Sequence, residues 1–310
     1  QLAEAQAAAA IGQIGLAHAW ADTWSEADRP AAQVLLTLGD LEHRPRYLNA
    51  RATLETLLEN RIVPIVNEND TVATEEIRFG DNDRLAARVA QLLAADLLLL
   101  LSDVDGLYTA DPASNPDARR LDRVDRIDSD IEALAGHAGH ADRDGLGTGG
   151  MASKLAAARI ATDAGIEVLL GSGRNDNPIR RLLDDGPATV FSARTQPMAA
   201  RKQWLRGLQH PAGRLHLDDG ALAALQAGSS LLAVGVTEVE GEFDRGDLVD
   251  LAGPDGLSGQ GLSAYAAAEA RRIAGLKSEQ IAEVLAEAGR GPMIHRDDLV
   301  LFDHDRVTMR

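Results

Sequence analysis

No cysteine occurs in this 310-residue chain. That excludes disulfides and thiolate metal sites and suits a cytoplasmic protein. Long apolar runs are missing as well: the longest near the middle, residues 97–101, falls far short of the ~20 residues that a membrane span needs. The alanine-rich stretch 7–16 has no basic residue ahead of it and follows Glu4, so it does not read as a signal peptide. Positive charge is scarce. The formal net charge is −17, which disfavours non-specific binding to nucleic acid or anionic membranes. Lysine is the rarest cation, with Lys154, Lys202 and Lys277 standing among 31 basic residues. A small anionic substrate is still allowed, because a site can be locally positive. The Gly-x4-Gly-Lys-Ser/Thr spacing of a Walker A loop is absent.

What is present is a globular composition, 45% hydrophobic, in a chain long enough for two domains. Up to about Phe191, short apolar runs at 34–37, 62–66, 97–101 and 167–170 read as buried strands. Helical patterns at 48–59, 84–95 and 153–164 separate them. Strand–helix alternation predicts a mostly parallel sheet with helices on both faces. In such sheets ligands sit beyond the carboxyl ends of the strands. The tips to inspect are therefore Asn67-Glu68-Asn69-Asp70, Ser102-Asp103 and Gly171-Ser172-Gly173. Gly80-Asp81-Asn82-Asp83 opens a helix, where an acidic or amide cap is ordinary, most of all for Asp81.

After Arg206 the pattern changes. His210-Pro211-Ala212-Gly213 reads as a linker. Strand candidates follow at 231–233, 236–239 and 247–251, with helical pieces at 220–227 and 278–287, so a compact, β-rich second domain is expected.

The strongest local signal is Gly145-Leu146-Gly147-Thr148-Gly149-Gly150-Met151-Ala152-Ser153-Lys154. Glycines let the backbone approach a phosphate, and successive N–H groups can cradle its oxygens. A helix starting near Met151 adds its positive end, and Lys154 adds a full charge. The alternative is a glycine linker leading into a helix. Phosphoryl transfer crowds negative charge, so catalysis rests on positioning and neutralisation. Carboxylates such as Asp70, Asp81, Asp83 and Asp103 suit holding magnesium, orienting lysines or binding an α-amino group. His137 and His140 have no metal-ligand spacing, His295-Arg296-Asp297-Asp298 reads as a strand end, and Trp20, Trp24 and Trp204 read as packing residues.

Taken together, residues 46–51, 62–70, 80–83, 99–103, 106–112 and 145–154 resemble the amino acid kinase family in order and spacing, over Ala7 to about Leu299. The Asn-Glu-Asn-Asp and Gly-Asp-Asn-Asp pair within that set is specific. It implies a member that phosphorylates the glutamate side-chain carboxylate with ATP to glutamyl 5-phosphate, the first step of proline biosynthesis. The fold implied is a three-layer α/β sandwich around a mostly parallel sheet over 1–207. A smaller β-rich domain resembling PUA modules follows over 211–299, with a tail at 300–310.

The resemblance carries roles to matching positions. Asn67, Asp70 and Asn82 would bind glutamate. Asp83 would organise the catalytic lysines and Lys154 would stabilise the transferring phosphoryl group. Ser102 and Asp103 would contact ATP, together with the loop Thr148, Gly149, Gly150, Met151, Ala152, Ser153 and Lys154. Magnesium would arrive on ATP, and no metal site held by the protein itself is expected. Expected partners are L-glutamate, ATP, proline as feedback inhibitor and further copies of the chain, with neither membrane nor nucleic acid. PUA modules often bind RNA, but residues 211–299 carry 7 basic against 15 acidic residues. In such kinases the module is implied to be modulatory.

Two alternatives stay open: a relative acting on acetylglutamate or aspartate, and a non-catalytic RNA-binding or regulatory protein. Family members begin with a Lys-x-Gly-Ser/Thr strand and a later serine–glycine segment, and neither occurs in these residues. The expectation is a fragment that lacks its N-terminal strands, leaves sheet edges unpaired and is inactive or unstable alone, cut from a working kinase.

Overall fold

The computed structural model describes residues 2–72, 81–112, 114–137, 150–193, 199, 202, 205–206, 208, 210–285 and 291–302. Among the described residues, no helix is long and apolar enough to cross a membrane. The chain forms two compact units, Gln1–His43 with Asn49–Pro197, and Arg44–Leu48 with Met198–Arg310.

The first unit alternates helices and strands in the order α1 (Leu2–Ser25), β1 (Ala31–Leu36), α2 (Leu38–Glu42), α3 (Arg44–Glu59), β2 (Val63–Glu68), α4 (Asp81–Leu92) and β3 (Leu97–Ser102). It continues through β4 (Arg123–Val124), α5 (Ser129–His137), α6 (Met151–Asp163), β5 (Glu167–Ser172), α7 (Pro178–Leu183) and β6 (Ala188–Phe191). β1 and β2 pair in parallel, with Leu35 opposite Asn67. β3 and β5 also pair in parallel, with Ser102 opposite Ser172. The larger sheet runs β3-β5-β6-β4, and only the β5–β6 pairing in it is antiparallel.

This is the expected α/β architecture, with local corrections. The first strand ends at Leu36 rather than at 37, because Thr37 is claimed by the helix that follows. Its hydroxyl accepts from the Asp40 amide at 3.2 Å, while its own amide donates to the Asp40 carboxylate at 2.8 Å. That reciprocal cap satisfies two amides that would otherwise be orphaned at the start of α2. β6 carries too short a pattern to be read from sequence.

The core of this unit gathers Leu100, Leu107, Val168, Leu170 and Phe191 from the larger sheet and its connections, with Leu155 from α6. α4 and α6 pack against each other, and both carry buried alanines: Ala87 and Ala90 on one, Ala157, Ala158 and Ala161 on the other. Small side chains let helix axes approach to the short end of the usual range, ~8 Å.

The second unit holds a five-stranded sheet in the order Leu299–Leu301, Gly256–Leu262, Leu248–Gly253, Gly213–Leu217 and Val236–Gly241. Its elements are β7 (Gly213–Leu217), α8 (Asp219–Gln226), β8 (Val236–Gly241), β9 (Leu248–Gly253), β10 (Gly256–Leu262), α9 (Ala267–Ile273), α10 (Ser278–Leu285) and β11 (Leu299–Leu301). Asp218 caps α8, its Oδ1 accepting from the Ala221 amide at 2.6 Å. Leu215, Leu251, Tyr265, Ile273 and Ile294 form its buried centre.

Residues 231–233 are not a strand here. Leu231 makes an isolated bridge with Ile294, and Ala233–Gly235 winds into a 3-10 turn. Gly235, which ends that turn, lies against α8 so closely that a Cβ would stand 2.4 Å from the Ala221 methyl. Likewise His295 starts a 3-10 turn over Arg296–Asp298, accepting from the Asp297 amide, and the strand begins only at Leu299.

Candidate active site

The predicted polar tips of the first unit follow the carboxyl ends of strands or open helices. Asn67 lies at the end of β2 and Asp70 two residues beyond it. Asn82 and Asp83 sit in the first turn of α4, Ser102 closes β3 with Asp103 next to it, and Ser153 and Lys154 sit in the first turn of α6.

The close approach of α4 and α6 brings two of these tips into contact. Lys154 Nζ lies 3.2 Å from Oδ2 of Asp83. Ser153 donates its hydroxyl to the same carboxylate oxygen at 2.7 Å. The lysine and aspartate side chains are only 15% and 21% exposed, so solvent screens this pair less than a surface pair. Asp83 therefore serves as an anchor for two groups on α6. The oxygen it shares leaves the ammonium held at the positive end of α6, where an anion would be favoured. Gly150 precedes that helix in an extended conformation, and among the described residues a Cβ there would meet no atom within 4 Å. Thr148 and Gly149, together with Gly145–Gly147, lie outside the described residues, as do His140, Trp204 and most of the 71–79 stretch.

Asn67 and Asn82 face one cleft of about 480 Å³, whose other walls include Leu16, Trp20, Ile65 and Leu85. Asn67 is fixed by a hydrogen bond from its Nδ2 to Oε1 of Gln13 on α1, at 2.6 Å. Sequence reading missed Gln13, and nothing in the spacing of α1 sets it apart. Asp70 is half-buried and is not among the described residues that line the cleft.

A second cleft, of about 360 Å³, opens beyond β3 and β5 and is lined by Asp103, Asp105, Tyr108, Ser172, Asn175 and Arg181, among others. The strand ends are tied together by the Gly173 amide, which donates to the Ser102 carbonyl at 2.7 Å. Ser102 donates to Asp103 at 3.0 Å, and Arg174 approaches the same carboxylate at 3.6 Å. Burial pushes the Tyr108 phenol above its ordinary range, and its hydrogen bond to Asp105 adds to that. Arg120 is held charged by Asp122 and Asp105, each at 3.1 Å, against the cost of its burial. Asp105, Ser172 and Arg181 extend the predicted site. Only the Gly171-Ser172-Gly173 tip carried a sequence signal for any of them.

The amino acid kinase family matches residues 1–172, and the PUA domain family matches residues 213–285. A glutamate 5-kinase of Dinoroseobacter shibae is 54% identical over 301 residues, covering 97% of this chain and 80% of that protein. Those of Nitrobacter winogradskyi and Rhizobium rhizogenes are 53% and 52% identical over 302 residues, again 97% of this chain, and 79% and 77% of theirs. A likeness over 97% of this chain spans both units. The chain belongs to the amino acid kinase family, and within it to the glutamate 5-kinases.

Proposed function

We propose that this chain transfers the γ-phosphoryl group of magnesium-ATP to the side-chain carboxylate of glutamate, the first committed step towards proline. A carboxylate oxygen of glutamate attacks the γ-phosphorus and the bond from that phosphorus to the β-bridging oxygen breaks. ADP leaves and glutamyl 5-phosphate forms. The attacking group is already an anion, so the enzyme needs no general base. It needs to hold two negatively charged reactants in line and to neutralise charge on the moving phosphoryl group.

The observation that carries this reading is the shared Asp83 oxygen, with Lys154 at 3.2 Å and Ser153 at 2.7 Å. Lys154 is the phosphoryl-stabilising group. Asp83 positions it by fixing the ammonium at the mouth of α6. Asn67, Asn82 and Asp70 are assigned to the amino acid. The shared cleft supports this for the two asparagines, since amides can both donate to a carboxylate and accept from an ammonium. Ser102, Asp103 and Gly150 to Ser153 are assigned to ATP, with Thr148 and Gly149 carried by the family resemblance alone. Magnesium belongs to the nucleotide, and Asp103 beside the second cleft is a candidate to orient its water shell. Proline as a feedback inhibitor, self-association and a cytoplasmic location complete the proposal.

A coupled assay of ADP release by the gene product tests it. Release should require glutamate and should be at least tenfold slower with acetylglutamate or aspartate at equal concentration. Equal rates with all three acceptors would overturn the glutamate assignment. ADP release independent of any acceptor would overturn the transfer itself.

A further inference from the structure

The second unit carries a side-chain cluster that phosphoryl transfer does not use. β7 and β8 pair antiparallel, with His216 opposite Glu238 and Arg214 opposite Glu240. Alternate residues of a strand share a face, so Glu238 and Glu240 flank one side of the ladder together with His216. The register slips between His216 and Leu217. Such a bulge re-aims the side chain beside it. One donor atom from each of His216, Glu238 and Glu240 lies within 4.8 Å of the other two.

The histidine nitrogen is the telling atom. Its Nε2 stands 2.9 Å from Oε1 of Glu240. Yet it is shielded from solvent and lacks the alignment of a hydrogen bond with any partner among the described residues. The nearest cation by register, Arg214, is drawn away to Asp250 on β9 at 3.3 Å. Two glutamates and an imidazole nitrogen thus lie within 4.8 Å of one another, and among the described residues no lysine or arginine is paired with them.

We propose that His216, Glu238 and Glu240 bind a divalent transition-metal ion of the zinc class. One imidazole with two carboxylates is a mixed nitrogen and oxygen set, which suits zinc, whereas magnesium and calcium favour oxygen alone. Three protein ligands leave the fourth tetrahedral position to water. Donors around such an ion lie about 3.4 Å apart, given metal–ligand distances of ~2.0–2.2 Å. The remaining gap is closed by rotamer changes of Glu238 and Glu240, both exposed. The ion would staple β7 to β8, and it is distinct from the magnesium that arrives with ATP.

The test uses the full chain, free of any affinity tag and stripped with EDTA. Zinc alone is titrated in the presence of a chromophoric chelator. The site predicts one zinc ion per chain at micromolar affinity, weakened at least tenfold in His216→Ala, Glu238→Gln and Glu240→Gln. Cobalt soaked into the same site should show the visible absorption of a tetrahedral ion, and His216→Ala should lose it. Should the alanine variant fail to fold by circular dichroism, the two isosteric glutamine variants carry the comparison. Absence of stoichiometric zinc, or zinc bound equally by the parent and all three variants, overturns the proposal.

Discussion

Lys154 meets Asp83 across 71 residues of sequence, ammonium to carboxylate at 3.2 Å. The contact exists because α4 and α6 pack against each other, with buried alanines on both helices. A lysine held this way has most of its flexible stem immobilised before any reactant arrives. The aspartate does not cancel its use. It fixes where the positive charge stands, and charge fixed in advance is what stabilises a transition state at least cost in reorganisation.

Lys154→Met should lower kcat by about 100- to 1,000-fold, the usual loss when one preorganised group at a developing charge is removed. Asp83→Asn should lower kcat by about 100-fold through misplacement of the lysine, with the KM for glutamate little changed. Steady-state kinetics on both variants, and on the double variant, decide the matter. Independent, multiplicative losses in the double variant would contradict a shared role.

Asn67→Ala and Asn82→Ala should each raise the KM for glutamate about tenfold, the effect of one lost hydrogen bond worth ~1–1.5 kcal/mol. The KM for ATP should stay as it was. Gln13→Ala should act in the same direction but more weakly, because Gln13 touches Asn67 rather than the cleft. A rise in the KM for ATP instead would move the two asparagines out of the amino-acid site.

Thr189 is fully buried and bridges two loops, accepting from the Leu107 amide at 2.8 Å and donating to the Leu121 carbonyl at 2.6 Å. Thr189→Val keeps the shape and strands both backbone groups, for a loss of ~1–3 kcal/mol. Thr189→Ser keeps the hydroxyl and should cost less. Thermal melts of the two variants should separate in that order, and identical melting points would refute the bridge.

Gly171 sits where a Cβ would stand 2.3 Å from Cδ2 of Leu182, the residue that seats α7 on β5. Gly171→Ala should therefore destabilise the protein by ~1–3 kcal/mol through overpacking. Adding Leu182→Val should recover part of the loss by clearing the methyl. Denaturant unfolding curves measure both, and a fully stable alanine variant would show that the leucine moves aside freely.

The strands at 97–102 and 167–172 were legible because a run of buried aliphatic residues ending in polar or glycine residues has few other uses. The helix after Gly150 was legible from its glycines. The site residues were legible only as strand tips and helix starts, so Asp83 could equally have been a helix cap. Gln13 and Arg181 were not legible at all. Gln13 lies on a helix with no buried residue and Ile11 and Ile14 more than half exposed, so no periodicity marks it.

By itself the sequence determined which chemical groups exist and on which kind of element each sits: apolar period and glycine placement are local properties, and they set strand, helix and tip. It also determined the kinship of the chain, through motifs whose order survives whatever the fold does. Only the tertiary structure decided which tips touch. Whether Asp83 grips Lys154, and whether His216 faces two glutamates, depends on helix seams and strand register. Those are set by packing between segments far apart in the chain, where local preference has no say.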